Sequence, residues 1–149
     1  AGAAATVVMH GRGTPKTMDG LTDYDDLTLE VVTYLVARAR LARSPIVCVD
    51  PGVGFAKTTA QSLALLRHTD AFVATGFPVY IGASRKRFIG HTLELEHPRD
   101  RLAGSLGAVA AAWQAGARIF RVHDAGATRH LVDMMAAIAD PLAGSGRTP

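Results

Sequence analysis

Apolar residues follow two rhythms along this chain. Strands read at Thr6 to Met9, Ile46 to Val49, Val79 to Ile81 and Arg118 to Val122 are built on short apolar runs, the last only Ile119-Phe120, rich in β-branched and aromatic residues. Longer stretches between them repeat at three and four residues, the helical period. From about Tyr24 to Arg43, the positions Leu27, Val31, Val32, Leu35, Val36 and Ala39 give one buried face, and Asp23, Asp25 and Asp26 favour its amino end. Ser44-Pro45 ends this helix. A second helix, about Thr59 to Ala74, is predicted to turn Leu63, Leu66 and Val73 inward, with Gly76 as its stop. A short helical turn follows from Phe88 to about Leu95, then a solvated connection through Glu94, Glu96, His97 and Pro98. A third full helix, about Arg99 to Ala115, carries many small residues, and a last one, about Ala127 to Ala139, places Leu131, Met134, Met135 and Ile138 on its apolar side.

Strands that alternate with helices predict an α/β fold with a parallel sheet. Four β/α units are half of what closes an eight-stranded barrel, and a complete small α/β sandwich is the alternative. The half barrel is favoured because every strand ends in functional residue types, whereas a doubly wound sheet concentrates its site at one switch point. On this reading residues 1–140 form a partial TIM barrel and 141–149 a loose tail. The chain opens Ala1-Gly2-Ala3 without methionine and leads almost at once into a strand, so it reads as a piece of something longer.

Composition narrows the partners. The formal charge is +3 and the pI about 9.4, but lysines and arginines are scattered and form no basic tract, so nucleic acid is not the expected partner. The single cysteine, Cys48, sits inside an apolar run and reads as a reduced packing residue, which suits the cytoplasm. No apolar run is long enough to cross a bilayer as a helix, and no membrane partner is expected.

Candidate chemistry gathers where the apolar runs stop. The first run ends in Met9-His10-Gly11-Arg12-Gly13-Thr14-Pro15 and the second in Asp50-Pro51-Gly52-Val53-Gly54-Phe55-Ala56-Lys57-Thr58. The third ends in Gly82-Ala83-Ser84-Arg85-Lys86-Arg87 and the fourth in Arg121-Val122-His123-Asp124. In parallel α/β proteins reactive groups collect at the carboxyl ends of strands, so four such endings point to one shared site. A hydroxyl and three cations on the turn from Ser84 to Arg87 suit an anion. Each residue also has a plain structural reading: Asp50 as a turn former, Lys86 as a surface lysine, His123 as a core imidazole. His10 and Asp124 either join the site or brace the loop backbone, while Trp113 and the Met134-Met135 pair read as packing. Gly52, Gly54 and Lys57-Thr58 do not have the spacing of a nucleotide phosphate loop.

These four motifs, in this order and joined by helices of suitable length, resemble the carboxyl half of the dihydropteroate synthase family. The resemblance implies a TIM barrel that joins a dihydropterin pyrophosphate to p-aminobenzoate and releases pyrophosphate with magnesium present, in a homodimer inhibited by sulfonamides. It implies that Asp50 takes the donor edge of the pterin, that Lys86 donates to the ring oxygen and nitrogen, and that Met9, Phe55 and Gly82 shape the pocket. Arg121 and His123 are implied at the pyrophosphate, and Lys86 and Arg87 beside the p-aminobenzoate. Many members of the family carry serine where this chain has Arg87, and the aspartate and asparagine from the family's earlier strands have no counterpart. The fragment alone is therefore expected to be inactive, with no metal ligands of its own. A pterin-binding module of a pterin-dependent methyltransferase and a non-catalytic structural fragment are the alternatives.

Overall fold

A computed structural model describes residues 4–141. Four strands, β1 (Ala5–Met9), β2 (Ile46–Asp50), β3 (Tyr80–Ile81) and β4 (Ile119–Phe120), alternate with helices. These are α1 (Leu27–Ala39), α2 (Thr59–Arg67), α3 (Thr69–Val73), α4 (Arg87–Leu93), α5 (Leu102–Gln114) and α6 (Ala125–Ala139), with single 3-10 turns at Met18–Gly20 and Pro98–Arg101. The tail expected at 141–149 lies, beyond Pro141, outside the described residues.

The strands run parallel, as the alternation predicts. β1 pairs with β2 in the register Ala5↔Ile46 to Met9↔Asp50, and β3 pairs with β4 through Tyr80↔Ile119 and Ile81↔Phe120. A parallel bridge between Val49 and Val79, with the Val49 amide donating to the Pro78 carbonyl at 2.9 Å, joins the two pairs in the order β1-β2-β3-β4.

Successive residues of a strand point to opposite faces, and here the two faces have different fates. Val8, Val47, Val49, Val79, Ile81 and Phe120 belong to the core or pack against it, together with Val31, Leu35 and Ala39 of α1, Leu65 and Leu66 of α2 and Phe72 of α3. The other face holds Val7, Met9 and Ile46, all exposed despite being large and apolar. Helices cover one side of the sheet only.

Local chemistry sets the helix starts. Asp26 caps α1 by accepting from the Leu29 amide at 3.0 Å, and Thr58 and Gln61 form a reciprocal capping box on α2. The predicted second helix breaks at His68 into α2 and α3, yet Ser62, Leu65, Leu66, Thr69 and Phe72 keep one buried face across the break; Leu66 turns inward as expected, while Leu63 and Val73, each one residue off that face, are exposed. The apolar side of α6 is likewise largely exposed at Met134 and Ile138, because α6 packs chiefly on α5. Arg121 and His123 lie past the end of β4, which stops at Phe120, although the Arg121 amide still donates to the Ile81 carbonyl at 3.0 Å and prolongs the ladder.

Candidate functional site

Register carries the site residues to one side. Met9 and Asp50 are paired at the carboxyl ends of β1 and β2, on the face turned away from the helices. Because Ile81 and Phe120 point into the core, Gly82 and Arg121, one residue further on, continue the opposite face. Met9, Asp50, Gly82 and Arg121 therefore line one mouth at the top of the sheet.

Asp50 is buried, 7% exposed, at this mouth. Its Oδ1 accepts from the Gly52 amide at 2.8 Å, closing a tight turn. Burial pushes its carboxyl up from the ordinary range, while the Gly52 hydrogen bond and the charges of Lys86 and Lys57 act against that shift. The turn depends on Gly52: with φ +69° it is left-handed, and a Cβ there would collide with the His10 carbonyl oxygen.

Lys86 reaches back from the turn after β3. Its ammonium donates to the Val53 carbonyl and sits 4.3 Å from the centroid of the Phe55 ring. Burial lowers its pKa, Asp50 opposes that change and Arg121 adds to it. Phe55 and Lys86 line, with Arg87, Lys57 and Gly54, a cleft of about 730 Å³. Arg87 itself is exposed and forms an ion pair with Asp19 at 2.9 Å, across the rim of that cleft.

At β4 the histidine is held by its neighbour. The His123 amide donates to Ser84 Oγ at 3.2 Å, and the same oxygen stands 3.0 Å from His123 Nδ1. With the amide as donor, the serine hydroxyl proton can go to Nδ1, which leaves the ring proton on Nε2. Arg121 and His123 are both exposed.

Several supports were not evident from the sequence. Arg85, in the left-handed region at φ 58°, clamps Asp124 through Nε to Oδ2 at 3.0 Å and Nη2 to Oδ1 at 2.5 Å. Asp124 thus braces the loop. Arg101, placed by the sequence reading at the start of the third full helix, is buried and donates to the carbonyls of Leu95 at 3.1 and 3.0 Å, Glu96 at 2.5 Å and Arg85 at 3.1 Å. The one available signal was Gly90 inside a helical turn, where a Cβ would lie 2.6 Å from the Arg101 guanidinium. Lys57 stands 3.0 Å from His10 Nδ1 and donates to the Phe55 carbonyl at 3.0 Å. Burial, then the charges of Lys57 and Arg12, push His10 down to about 4, and burial first lowers Lys57 to about 8.

A family model described as pterin binding enzyme matches residues 1–123. The chain is 42% identical over 126 residues to the dihydropteroate synthase of Synechocystis sp., covering 81% of this chain and 44% of that protein. To the "inactive dihydropteroate synthase 2" of Mycobacterium leprae it is 38% identical over 145 residues, 91% of this chain and 50% of that one. Dihydropteroate synthase from Thermus thermophilus, solved in complex with 4-aminobenzoate, superposes with a TM-score of 0.87 at 42% identity, covering 91% of this chain and 57% of that chain. The same enzyme in complex with 6HMPPP gives 0.86 at 42% identity, over 91% of this chain and 55% of that one. This chain spans about half the length of these relatives.

Proposed function

Because this chain belongs to the family of pterin-binding enzymes, we propose that it forms the carboxyl half of a dihydropteroate synthase barrel. The reaction would join 6-hydroxymethyl-7,8-dihydropterin pyrophosphate to p-aminobenzoate and release pyrophosphate. The observation that carries this reading is the buried Asp50 carboxylate at the mouth, paired with Met9 and electrostatically coupled to Lys86, which is itself coupled to Arg121. A pterin presents adjacent N–H donors on one edge, and a desolvated carboxylate is the acceptor that matches them. The solved complexes of the Thermus thermophilus relative with 4-aminobenzoate and with 6HMPPP support the substrates this assigns.

In this proposal Asp50 fixes the pterin edge, Lys86 donates to the ring oxygen and nitrogen, and Met9, Phe55 and Gly82 bound the ring. The amine of p-aminobenzoate attacks the exocyclic carbon as its bond to the pyrophosphate oxygen breaks. Negative charge grows on the leaving group, so Arg121 and the Nε2 proton of His123 help the transition state more than the ground state. Lys86 and Arg87 face the p-aminobenzoate, and Arg87 can offer its guanidinium to the carboxylate in exchange for Asp19. Among the described residues no group of three or more His, Cys, Asp or Glu side chains stands where it could hold a metal ion. Magnesium is taken in this reading to accompany the pyrophosphate, and no step is assigned to it.

The bare face of the sheet supports the half-barrel reading, since Val7, Met9 and Ile46 would be covered once four further strands closed the ring. The exposed Met134 and Ile138 on α6 would meet the first helix of the other half. The enzyme would work in the cytoplasm, where Cys48 stays reduced, as a homodimer through the small-residue face of α5. The test is reconstitution: the chain alone should form no dihydropteroate, and co-expression with the amino half of a similar synthase should restore a sulfonamide-sensitive activity. Activity in the isolated chain, or pterin binding without any turnover in the reconstituted protein, would overturn the catalytic reading.

A further inference from the structure

The least explained charged group near the mouth is Lys57. It lies in the bent loop after β2, where three residues adopt left-handed backbone: Gly52, Gly54 and the non-glycine Ala56, at φ 49°. Such a backbone persists only where its surroundings hold it. Three ties do so. The Tyr24 hydroxyl donates to the Ala56 carbonyl at 3.0 Å, and the Lys57 ammonium both donates to the Phe55 carbonyl at 3.0 Å and meets His10 Nδ1 at 3.0 Å.

His10 is a fixed partner. It is 3% exposed, and its ring stands edge-on to Tyr34 at 5.0 Å. Its amide donates to the Asp50 carbonyl at 3.0 Å, and its carbonyl lies against Gly52. The lysine therefore ties the far end of the loop to the same residue that holds the near end.

We propose that Lys57 is a positioning residue: anchored on His10 and the Phe55 carbonyl, it locks the loop after β2 onto the end of β1 and so holds Asp50 in place as the acceptor at the mouth. This rests on the reading of Asp50 as the pterin acceptor. The charged and titratable groups facing Asp50 and this lock come from every neighbouring element. His10 and Arg12 follow β1, Tyr24 and Glu30 belong to the α1 side, Lys86 follows β3, and Arg121 follows β4. Lys57 is the cation on the same loop as Asp50, and Lys86 is the other cation that acts on it directly.

The consequence is a pH signature that a merely structural lysine would not leave. Pterin binding needs the Asp50 carboxylate, so affinity falls as pH drops through its pKa, about tenfold per pH unit below it. Without the Lys57 charge that pKa rises, so the acid limb should move to higher pH and binding within the limb should weaken. Above about pH 8, Lys57 itself loses its proton and the wild-type lock weakens.

The test uses the reconstituted protein and a dihydropterin without pyrophosphate, with affinity measured by calorimetry from about pH 5 to about pH 9. Lys57→Met and Lys57→Gln should both raise the acid limb, and Lys57→Arg should restore it and extend the alkaline plateau. Gln keeps an amide donor for the Phe55 carbonyl and covers the case in which Met does not fold. In parallel, an NMR titration of the 149-residue chain follows His10, whose midpoint should rise in Lys57→Met and Lys57→Gln from about 4. Wild-type protein that binds no pterin at any pH would sink the Asp50 reading and this inference with it. Wild-type binding whose acid limb ignores both neutral variants, with His10 unmoved, would overturn the role of Lys57 and leave the functional reading standing.

Discussion

Asp50 sits in a closely held loop, since its own carboxylate accepts from the Gly52 amide and Gly52 is pressed against the His10 carbonyl. This makes Asp50→Asn a clean probe. Asparagine retains one oxygen for the Gly52 amide but turns the other acceptor position into a donor facing the donor edge of a pterin. Pterin affinity in the reconstituted protein should fall on the order of a hundredfold, measured by calorimetry. Arg121→Ala should leave the affinity for a pterin lacking pyrophosphate nearly untouched and weaken that for the pyrophosphate ester. The reverse pattern would show that the pterin lies elsewhere. At this scale the sequence was informative where identity implies chemistry: an aspartate followed by proline and glycine, or a Ser-Arg-Lys turn. It was silent where two ordinary residues become special only by meeting. His10 with Lys57 and Arg85 with Asp124 lie 47 and 39 residues apart, and no local pattern announces such pairs.

Elements were legible to the extent that one face of each is apolar and one polar. α1 shows a regular stripe and buries Val31, Leu35 and Ala39 from within it. The stretch from Thr59 misled because its break at His68 has no proline or glycine to mark it, and because two polar residues, Ser62 and Thr69, share the buried face with Leu65, Leu66 and Phe72. On α5 the small residues divide by use. Gly104 is packed so closely that a Cβ there would collide with Ile89, whereas Ala103, Gly107 and Ala111 are exposed and nothing stands within 4 Å of a Cβ at Gly107. Gly104, Gly107 and Ala111 border an apolar groove of about 560 Å³ shared with Leu63, Phe88 and Leu93. If the proposed dimer uses this face, Gly107→Leu should leave the fold of the chain intact and weaken self-association about tenfold or more, read by sedimentation equilibrium. An unchanged dimer would place the interface on another face.

At the scale of the molecule, the parallel order of the strands was readable from alternation alone, whereas which face would stay bare was not. Alternation gives two faces per strand, and only the packing of helices on Val8, Val49 and Ile81 shows that they cover one of them. Among the described residues no helix is long and apolar enough to cross a membrane.

The mouth has a further property that no single contact describes. Lys86 and Lys57 act on one carboxylate, Asp50, Arg121 acts in turn on Lys86, and Arg121 is open to water. A rim of this sign acts on a polyanion before any contact is made, because a field concentrated at a concave opening raises the local density of opposite charge and aligns its approach. Capture of a pyrophosphate ester should accordingly be a salt-sensitive encounter. Its association rate, followed by stopped-flow fluorescence in the reconstituted protein, should fall about tenfold between low and high ionic strength, while the same pterin without pyrophosphate arrives at a rate that salt leaves unchanged.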